Sequence, residues 1–443
     1  MRKQAFKIIV AIVSLVVLTV PTYAQDTLKL TLDEALEIAL SDNLTVKVAD
    51  MEIQKKGYAK KGTYASLFPQ IDFSTAYQGA IKKQVVVFSG QTIEMGKNHT
   101  WSTGFSMGMP LISVPLWKSL QITAMDVELA VEQARSSRQD LIAQVEQTFY
   151  TALLANDSYN VYKENYNNTL SDYNDVKEQF ENGKVAKFDL VRAEVALQNA
   201  KPVMYDAKNN VELCLWKLKA LLALDLDMAV ECVGSLDGYK GQLQSVANKD
   251  YSLAENSTLK QLEIQDNMLH KTYQSQLAKY YPSLNLSLSY QWIAMEDNMK
   301  MSQYKWNPYS TASVALTIPI FSGGQRYHTV KQTKVQREQL QLQKENAIRE
   351  LEVAVRQSLN SMETCLNQFE AAQAGIEGAE TGYSIAQKMY EVGSGTLLQL
   401  QDSQLALLQA KLNLNQSIYN YLVAKSSLDK ILGVNGNNVV EKK

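Results

Sequence analysis

The residues able to bind a metal or act as nucleophiles are few and widely spaced. The three histidines, His99, His270 and His328, share no zinc-ligand spacing. The three cysteines, Cys214, Cys232 and Cys365, are an odd number and exclude a complete disulfide framework. Cys214 and Cys365 fall in helical patterns and read as small buried apolar residues, and a Cys214–Cys232 bridge is left open. No nucleophile elbow, phosphate loop or dinucleotide fingerprint occurs. Gly323-Gly324 reads as a strand-to-helix bend and not as a phosphate cradle. These observations argue against an enzyme, and no cofactor or metal site is expected. A net charge of −2 gives no electrostatic footprint for nucleic acid.

The elements that carry these residues are unusual. Glycine (20) and proline (8) are scarce for 443 residues, which favours long helices over many short strands. Arg2, Lys3 and Lys7 precede an apolar run from Ile8 to Val20, followed by Pro21, Thr22, Tyr23 and Ala24. This pattern predicts a signal peptide over residues 1–24. The run is shorter than a membrane-spanning helix needs.

The rest of the chain reads as two copies of one design, offset by about 210 positions. Asn43 matches Asn256, Phe68-Pro69 matches Tyr281-Pro282, and Pro110 matches Pro319. Phe180-Glu181-Asn182-Gly183 matches Tyr390-Glu391-Val392-Gly393, and Leu221-Leu222 matches Ile431-Leu432. The first repeat, 25–224, is predicted to hold a helix over 43–67, strands over 70–80 and 101–112, and long helices over 116–182 and 185–224. A segment over 225–255 follows. The second repeat, 256–432, is predicted to hold a helix over 256–280, strands over 283–293 and 309–320, and long helices over 325–392 and 396–432. A tail covers 433–443. The first helix of each copy is placed to stop at a proline, Pro69 or Pro282, because proline disfavours helical geometry in the residue before it.

A helix of some 65 residues at 1.5 Å per residue would span about 100 Å. No single globular core covers that length, so these helices must pack along one another. In the last helix we expect Leu397, Leu400, Leu405, Leu408, Leu412, Tyr419 and Leu422 to form the packing stripe. The four strand segments alternate. Ile71, Phe73, Thr75 and Tyr77 oppose Asp72, Ser74, Ala76 and Gln78. Trp101, Thr103, Phe105, Met107 and Met109 alternate with Ser and Gly. Leu284, Leu286, Leu288, Tyr290 and Trp292 alternate with Ser, Asn and Gln, and Ala312, Val314, Leu316 and Ile318 alternate with Thr, Ser and Ala. Period 2 with one apolar face fits strands of a membrane barrel, with Tyr77, Trp101, Tyr290, Trp292, Trp306 and Tyr309 near their loop-side ends. A soluble sheet covered by helix has the same local pattern. Four strands cannot close a barrel, and an open edge cannot sit in lipid, so other subunits would have to complete a membrane sheet. Three copies would supply twelve strands, though this argument does not itself fix the number.

Several motifs, taken in order, resemble the outer-membrane efflux protein family, whose namesake is TolC. Leu30-Thr31-Leu32-Asp33-Glu34-Ala35-Leu36, running on to Asn43, is similar to the family's start. Leu67-Phe68-Pro69-Gln70 and Tyr281-Pro282-Ser283-Leu284 are similar to its helix-to-strand junctions, and Pro319-Ile320-Phe321-Ser322-Gly323-Gly324-Gln325-Arg326 to its return into the long helix. The resemblance covers about Leu28–Gly433. It implies a mainly α fold with a β part: a long coiled α-helical barrel joined to a transmembrane β-barrel completed by trimerisation. It also implies an outer-membrane location, with a mixed belt formed by Asp225–Asn256 and the tail from Gly433. The function it implies is a passive duct that docks onto a periplasmic adaptor (membrane fusion protein) and an inner-membrane pump of RND or ABC type, for efflux or type I secretion. A soluble periplasmic coiled-coil protein is the alternative, and it gives no reason for four lipid-compatible strands.

In such a duct the turns at Gly183, Gly393 and Gly395 mark the periplasmic tip. By resemblance, Asp189 and Tyr390 fall on a pair that ties the closed state. Asp402 falls on one of two constriction aspartates, and Gln399 on the other. The family's arginine in this turn falls on Gly395. Gln399 and Gly395 are departures that remove a charged ring and a salt bridge. Three Asp402 carboxylates on a threefold axis would repel one another and attract cations.

Overall fold

The structure is a computed structural model that describes residues 27–88, 90–245 and 251–434. The expected signal peptide, residues 246–250 of the segment 225–255, and most of the tail (435–443) lie outside the described residues.

The chain opens with strand β1 (Leu28–Leu30), helix α1 (Leu32–Asp42) and helix α2 (Leu44–Ala65). Strands β2 (Gln70–Gly79), β3 (Gln84–Phe88), β4 (Gln91–Met95) and β5 (His99–Ile112) follow. The long helices α3 (Val114–Glu181) and α4 (Lys187–Leu221) complete the first repeat, and strand β6 (Val230–Cys232) lies beyond it. The second repeat holds α5 (Ser257–Ala278), β7 (Ser283–Glu296), β8 (Asn307–Thr317), α6 (Gln325–Glu391) and α7 (Leu397–Leu432). Among the described residues no helix is long and apolar enough to cross a membrane.

Local chemistry accounts for the repeated landmarks. Thr31 and Glu34 form a reciprocal capping box that starts α1. Asn43 accepts from the Thr45 N–H at 2.8 Å and donates to the Leu221 carbonyl at 2.8 Å. Its repeat partner Asn256 caps α5 by accepting from the Leu259 N–H. Helices α2 and α5 stop short of the residue before their prolines. Ser66, Leu67 and Phe68 donate to carbonyls three residues back, as do Lys279, Tyr280 and Tyr281. The last turn of each thus tightens before the chain extends.

The chain divides into two compact units that do not follow the repeat boundary. One comprises Lys47–Ser137 and Leu253–Glu352 and holds an antiparallel sheet of order β2-β5-β7-β8. Within this unit Arg337 of α6 grips Asp266 of α5 through two hydrogen bonds, at 2.9 and 3.1 Å. The segment from Pro319 to Arg326 is fixed by Arg326. Its guanidinium donates to Ser322 Oγ and the Pro319 carbonyl and lies 5.2 Å from the Tyr280 ring. Gly323 and Gly324 both have positive φ there, as a sharp bend requires.

The second unit is built from the chain up to Val46, Arg138–Ser252 and the chain from Val353. In it β1 pairs in parallel with β6. Lys219 is buried, and its Nζ donates to the carbonyls of Leu226 and Met228 at 2.7 and 2.8 Å, which closes the end of α4. Cys214 and Cys232 pack in one small apolar cluster with Ala152 and Ala155, and both are free thiols.

The packing stripe of α7 differs from expectation. Leu405 is 62 % exposed, while the buried seam steps through Leu397, Leu400, Gln404, Leu407, Leu414, Ile418 and Tyr421. That is a heptad seam with a glutamine in it; of the expected stripe Leu397, Leu400 and Leu422 are buried, Leu408, Leu412 and Tyr419 are half-buried at its flank, and Leu405 faces outward. Gln404 fits because Thr169 of α3 is its partner.

Candidate functional site

Two regions bear on function, and each lies within one unit. The first is the four-stranded sheet. Its register sets Ile71 opposite Met107, Phe73 opposite Phe105 and Tyr77 opposite Trp101. Phe105 then faces Tyr290, and Met107 faces Leu288. On the far side Leu286 faces Val314, and Leu284 faces Leu316. Residues paired across an antiparallel ladder point to the same face, so the apolar residues of all four strands form one continuous surface. Much of it is exposed in the single chain: Ile71, Phe73, Val314 and Leu316 are each more than 60 % accessible. A contiguous apolar surface of this kind marks contact with membrane or with another protein. The hydroxyls of Thr75 and Thr103, which interrupt it, bond each other at 2.8 Å.

The opposite face carries Asp72, Ser74 and Gln78 on β2, Ser102, Gly104 and Ser106 on β5, Asn285, Ser287, Ser289 and Gln291 on β7, and Thr311 and Ser313 on β8. Ser289 and Thr311 share a hydrogen bond at 2.7 Å. Tyr309 belongs to this polar face. It stands opposite Gln291, whose side chain accepts from its hydroxyl, while Pro308 stands opposite Trp292. Among the described residues, the outer edges of β2 and β8 pair with no strand.

The loops beyond this sheet are joined through Asp297. Its carboxylate accepts from Lys83 at 2.7 Å, Lys97 at 2.8 Å and the Asn98 N–H at 3.1 Å. These charge-assisted bonds hold its pKa well below the usual carboxylate range.

The second region surrounds the helix turns. Gly183 (φ 71°) and Gly393 (φ 72°) take the left-handed conformation that ends a helix. Lys184 donates back to the Gln179 carbonyl, and Ser394 and Gly395 to that of Met389. A Cβ on Gly395 would lie 3.0 Å from Met389 Cβ, so close approach to α6 accounts for a glycine there. Helix α7 then starts with a capping box between Thr396 and Gln399. The Gln399 Oε1 accepts from the Thr396 N–H at 2.9 Å, which occupies this side chain locally. At the matching position of the first repeat, Asp189 lies in the first turn of α4, whose N-cap Ala186 offers no side-chain acceptor.

The structure brings Tyr390 into a cluster with Val176, Leu397, Ala193, Tyr173 and Leu190. The Tyr390 hydroxyl is buried without a hydrogen-bond partner, as is Asp172 Oδ2. Burial pushes the Tyr390 hydroxyl pKa up, and the charges of Asp189, Asp172 and Asp175 push it further. Asp189 is therefore near Tyr390, without a hydrogen bond between them. Asp402 is exposed on α7 and stands outside this cluster. Two contacts here had no sequence signal. Arg192 Nε donates to Gln401 Oε1 at 2.7 Å, joining α4 to α7, and Lys411 pairs with Glu164 at 2.7 Å, joining α7 to α3.

Burial and the nearby Asp175 push the Asp172 carboxyl up to about 6. An acid raised in the folded state weakens the fold as pH rises from its unfolded value through the folded one. The penalty is absent below about pH 4 and complete above about pH 7. Asp172→Asn should therefore raise the melting temperature at neutral pH and leave it unchanged at about pH 4. Thermal melts at both pH values check this, and an unchanged neutral melt would remove Asp172 as the strained group.

The histidines stay apart. His99 bonds Tyr77, His270 bonds Gln274 and Arg337, and among the described residues no group of three metal-binding side chains forms.

A family model described as outer membrane efflux protein matches residues 35–224 and 250–434. The alkaline protease secretion protein AprF of Pseudomonas aeruginosa is 22% identical over 241 residues, covering 53% of this chain and 49% of that protein. The match thus spans about half the length of that relative. The Campylobacter jejuni CmeC outer membrane channel is similar in structure, with a TM-score of 0.70 and 20% identity over 91% of this chain and 85% of that one. The open state of the Neisseria gonorrhoeae MtrE outer membrane channel gives 0.72 and 16%, over 91% and 88%. At these identities the structural likeness concerns the fold.

Proposed function

The chain belongs to the outer membrane efflux protein family, and from that premise we propose that it is a passive trimeric duct through which an inner-membrane pump exports its cargo. The observation that carries this reading is the sheet: four antiparallel strands, apolar on one face, polar on the other, and, among the described residues, open at both edges. An open edge is intolerable in lipid, and three copies give twelve strands, which closes it. The apolar face then meets outer-membrane lipid and the serine- and glycine-rich face lines the lumen. The helices of the three copies continue the passage into the periplasm, after export directed by residues 1–24.

A periplasmic adaptor couples this duct to an RND- or ABC-type pump, which supplies the energy; the duct itself performs no catalysis. AprF is by name a secretion protein and CmeC and MtrE are outer membrane channels, so both efflux and type I secretion fit the architecture. The turns at Gly183 and Gly393 form the periplasmic tip. There Asp189 and Tyr390 hold the closed arrangement, while Asp402 lines the aperture next to Gln399.

Planar-bilayer recording tests the reading. The purified chain should insert from detergent and give stable pores of low conductance. Folded protein that stays soluble without detergent and forms no pore would overturn the duct and favour a periplasmic coiled-coil protein.

A further inference from the structure

Four helix ends adjoin the four-stranded sheet: the last turns of α2 and α5 and the first turns of α3 and α6. The stretches 55–69, 113–125, 268–282 and 325–337 contain eleven lysines and arginines and no aspartate or glutamate. The whole chain has 46 acidic residues against 44 basic ones, so its average composition does not account for this. Toward the far ends of these stretches, Lys55, Lys334 and Arg337 pair with Glu52, Glu338 and Asp266. Other cations there lie beside aromatic rings: Lys61, Arg326 and Lys331 are 5.4, 5.2 and 5.6 Å from the rings of Tyr58, Tyr280 and Tyr327. Cations and aromatic rings without acids suit a surface that meets the anionic headgroups of a membrane.

One place in this belt is concave. A groove of about 550 Å³ lies between α2 and α3, with Gly57, Lys60, Lys61, Tyr64, Ala65 and Phe68 on one side and Val127 on the other. The first-named residues recur at i, i+3, i+4 and i+7 and so share one face. Lys60 and Lys61 sit toward the end away from the sheet and form no ion pair among the described residues. Tyr64 and Phe68, 46 % and 64 % exposed, stand toward the sheet. The second repeat closes the same place. In the alignment that matches Asn43 to Asn256, His270 stands for Gly57 and Gln274 for Lys61. His270 bonds Gln274 and Arg337, and Gln274 bonds Lys118, so these side chains are spent within the chain. The first repeat leaves its groove open and positively charged.

We propose that this groove binds an anionic glycerophospholipid of the periplasmic leaflet, with the phosphate between Lys60 and Lys61 and an acyl chain along Tyr64 and Phe68. The proposal rests on the duct reading above, which puts lipid against the sheet. Phe68 lies two residues before β2, and the two lysines stand about 10–12 Å below it at 1.5 Å per residue. The headgroup layer reaches about 5–8 Å beyond the hydrocarbon. Its charges are felt for about another 10 Å at moderate salt. The lysines therefore stand where phosphate is, and the aromatic rings where the chains begin.

The variant K60Q/K61Q tests it, and glutamine matches lysine in helix propensity, so the protein should fold. Phosphatidylglycerol titrated into the full-length assembly in neutral detergent should raise the melting temperature of the wild type. Phosphatidylcholine or inorganic phosphate at equal concentration should not. In K60Q/K61Q the half-saturating concentration of phosphatidylglycerol should rise roughly thirtyfold, about fivefold for each lysine. K201Q/K208Q, at exposed positions of α4, should respond as the wild type does. An equal response to phosphatidylcholine or inorganic phosphate, or an unchanged affinity in K60Q/K61Q, would overturn the site. Loss of assembly in K60Q/K61Q would overturn it too, by giving the groove to a neighbouring copy. So would a changed ion selectivity of the pore with unchanged lipid affinity, which would turn the lysines toward the lumen. Each of these results leaves the duct standing. A wild type that stays soluble without detergent would remove the duct reading and the lipid site with it.

Discussion

Leu288→Arg should abolish stable insertion, whereas Ser287→Arg one residue earlier should be tolerated. The two positions are adjacent in the central strand β7 and differ only in the face they occupy. Leu288 is flanked by Met107 on β5 and Ala312 on β8, in the middle of the apolar surface. Ser287 is flanked by Gly108 and Ser313 on the polar surface. An arginine on the lipid face of a barrel near mid-membrane costs about 2–4 kcal/mol. A threefold assembly repeats that cost in every copy, roughly 6–12 kcal/mol in all, which matches the whole stability of an ordinary domain at about 5–15 kcal/mol. On the lumen side the same side chain reaches water, and its charge alters ion selectivity instead. Membrane flotation and the yield of detergent-stable oligomer distinguish the outcomes. Equal tolerance of both variants would mean the apolar face meets no lipid, and a soluble sheet covered by protein would become the better account. Because β7 is not an edge strand, the result does not depend on how neighbouring copies join.

The contrast between these faces was legible in the sequence because strand side chains alternate strictly, so a face that must be apolar writes itself at every second residue. The ladder then sets those residues side by side across four strands. The region of the helix turns was legible only in outline. The glycines at 183 and 393 mark where the helices must end, since each has positive φ. What the side chains do there depends on neighbours some two hundred positions away. Arg192 meets Gln401 and Lys411 meets Glu164 with no local pattern to announce it. The parallel pairing of Leu28–Leu30 with Val230–Cys232 is equally silent, because three residues are too few to show a period. The hairpin of β3 and β4 was hidden for another reason: it lies between the strands expected over 70–80 and 101–112, and its pairs Val85–Glu94 and Val87–Thr92 mix apolar with polar on one face. Gln399 shows a residue with two readings. The family resemblance implies a position at a constriction, while its own amide oxygen caps the helix it begins.

Asp402→Ala should relieve block of the pore by multivalent cations. Asp402 projects from the second turn of α7, it is exposed, and Gln399, one turn before it, carries no charge. In a threefold assembly that leaves one ring of three carboxylates where a related channel would have two. A multivalent cation on the axis is attracted by all three at once, and the narrow, partly desolvated passage strengthens each attraction. Removing the ring should raise the half-blocking concentration of a trivalent cation by about tenfold or more, equivalent to at least ~1.4 kcal/mol. The effect should fade at high ionic strength, because screening acts on exposed charges. The complementary change, Gln399→Asp, should tighten the block by adding the second ring. It should leave helix initiation intact, since a carboxylate at that position still accepts from the Thr396 N–H and suits the positive end of the helix. Single-channel recordings with cation added on the periplasmic side separate the cases. A block that ignores both substitutions would place the constriction elsewhere on the lumen wall. A block relieved by Asp402→Ala and tightened by Gln399→Asp would fix α7, one to two turns beyond its capped start, as the lining of the aperture.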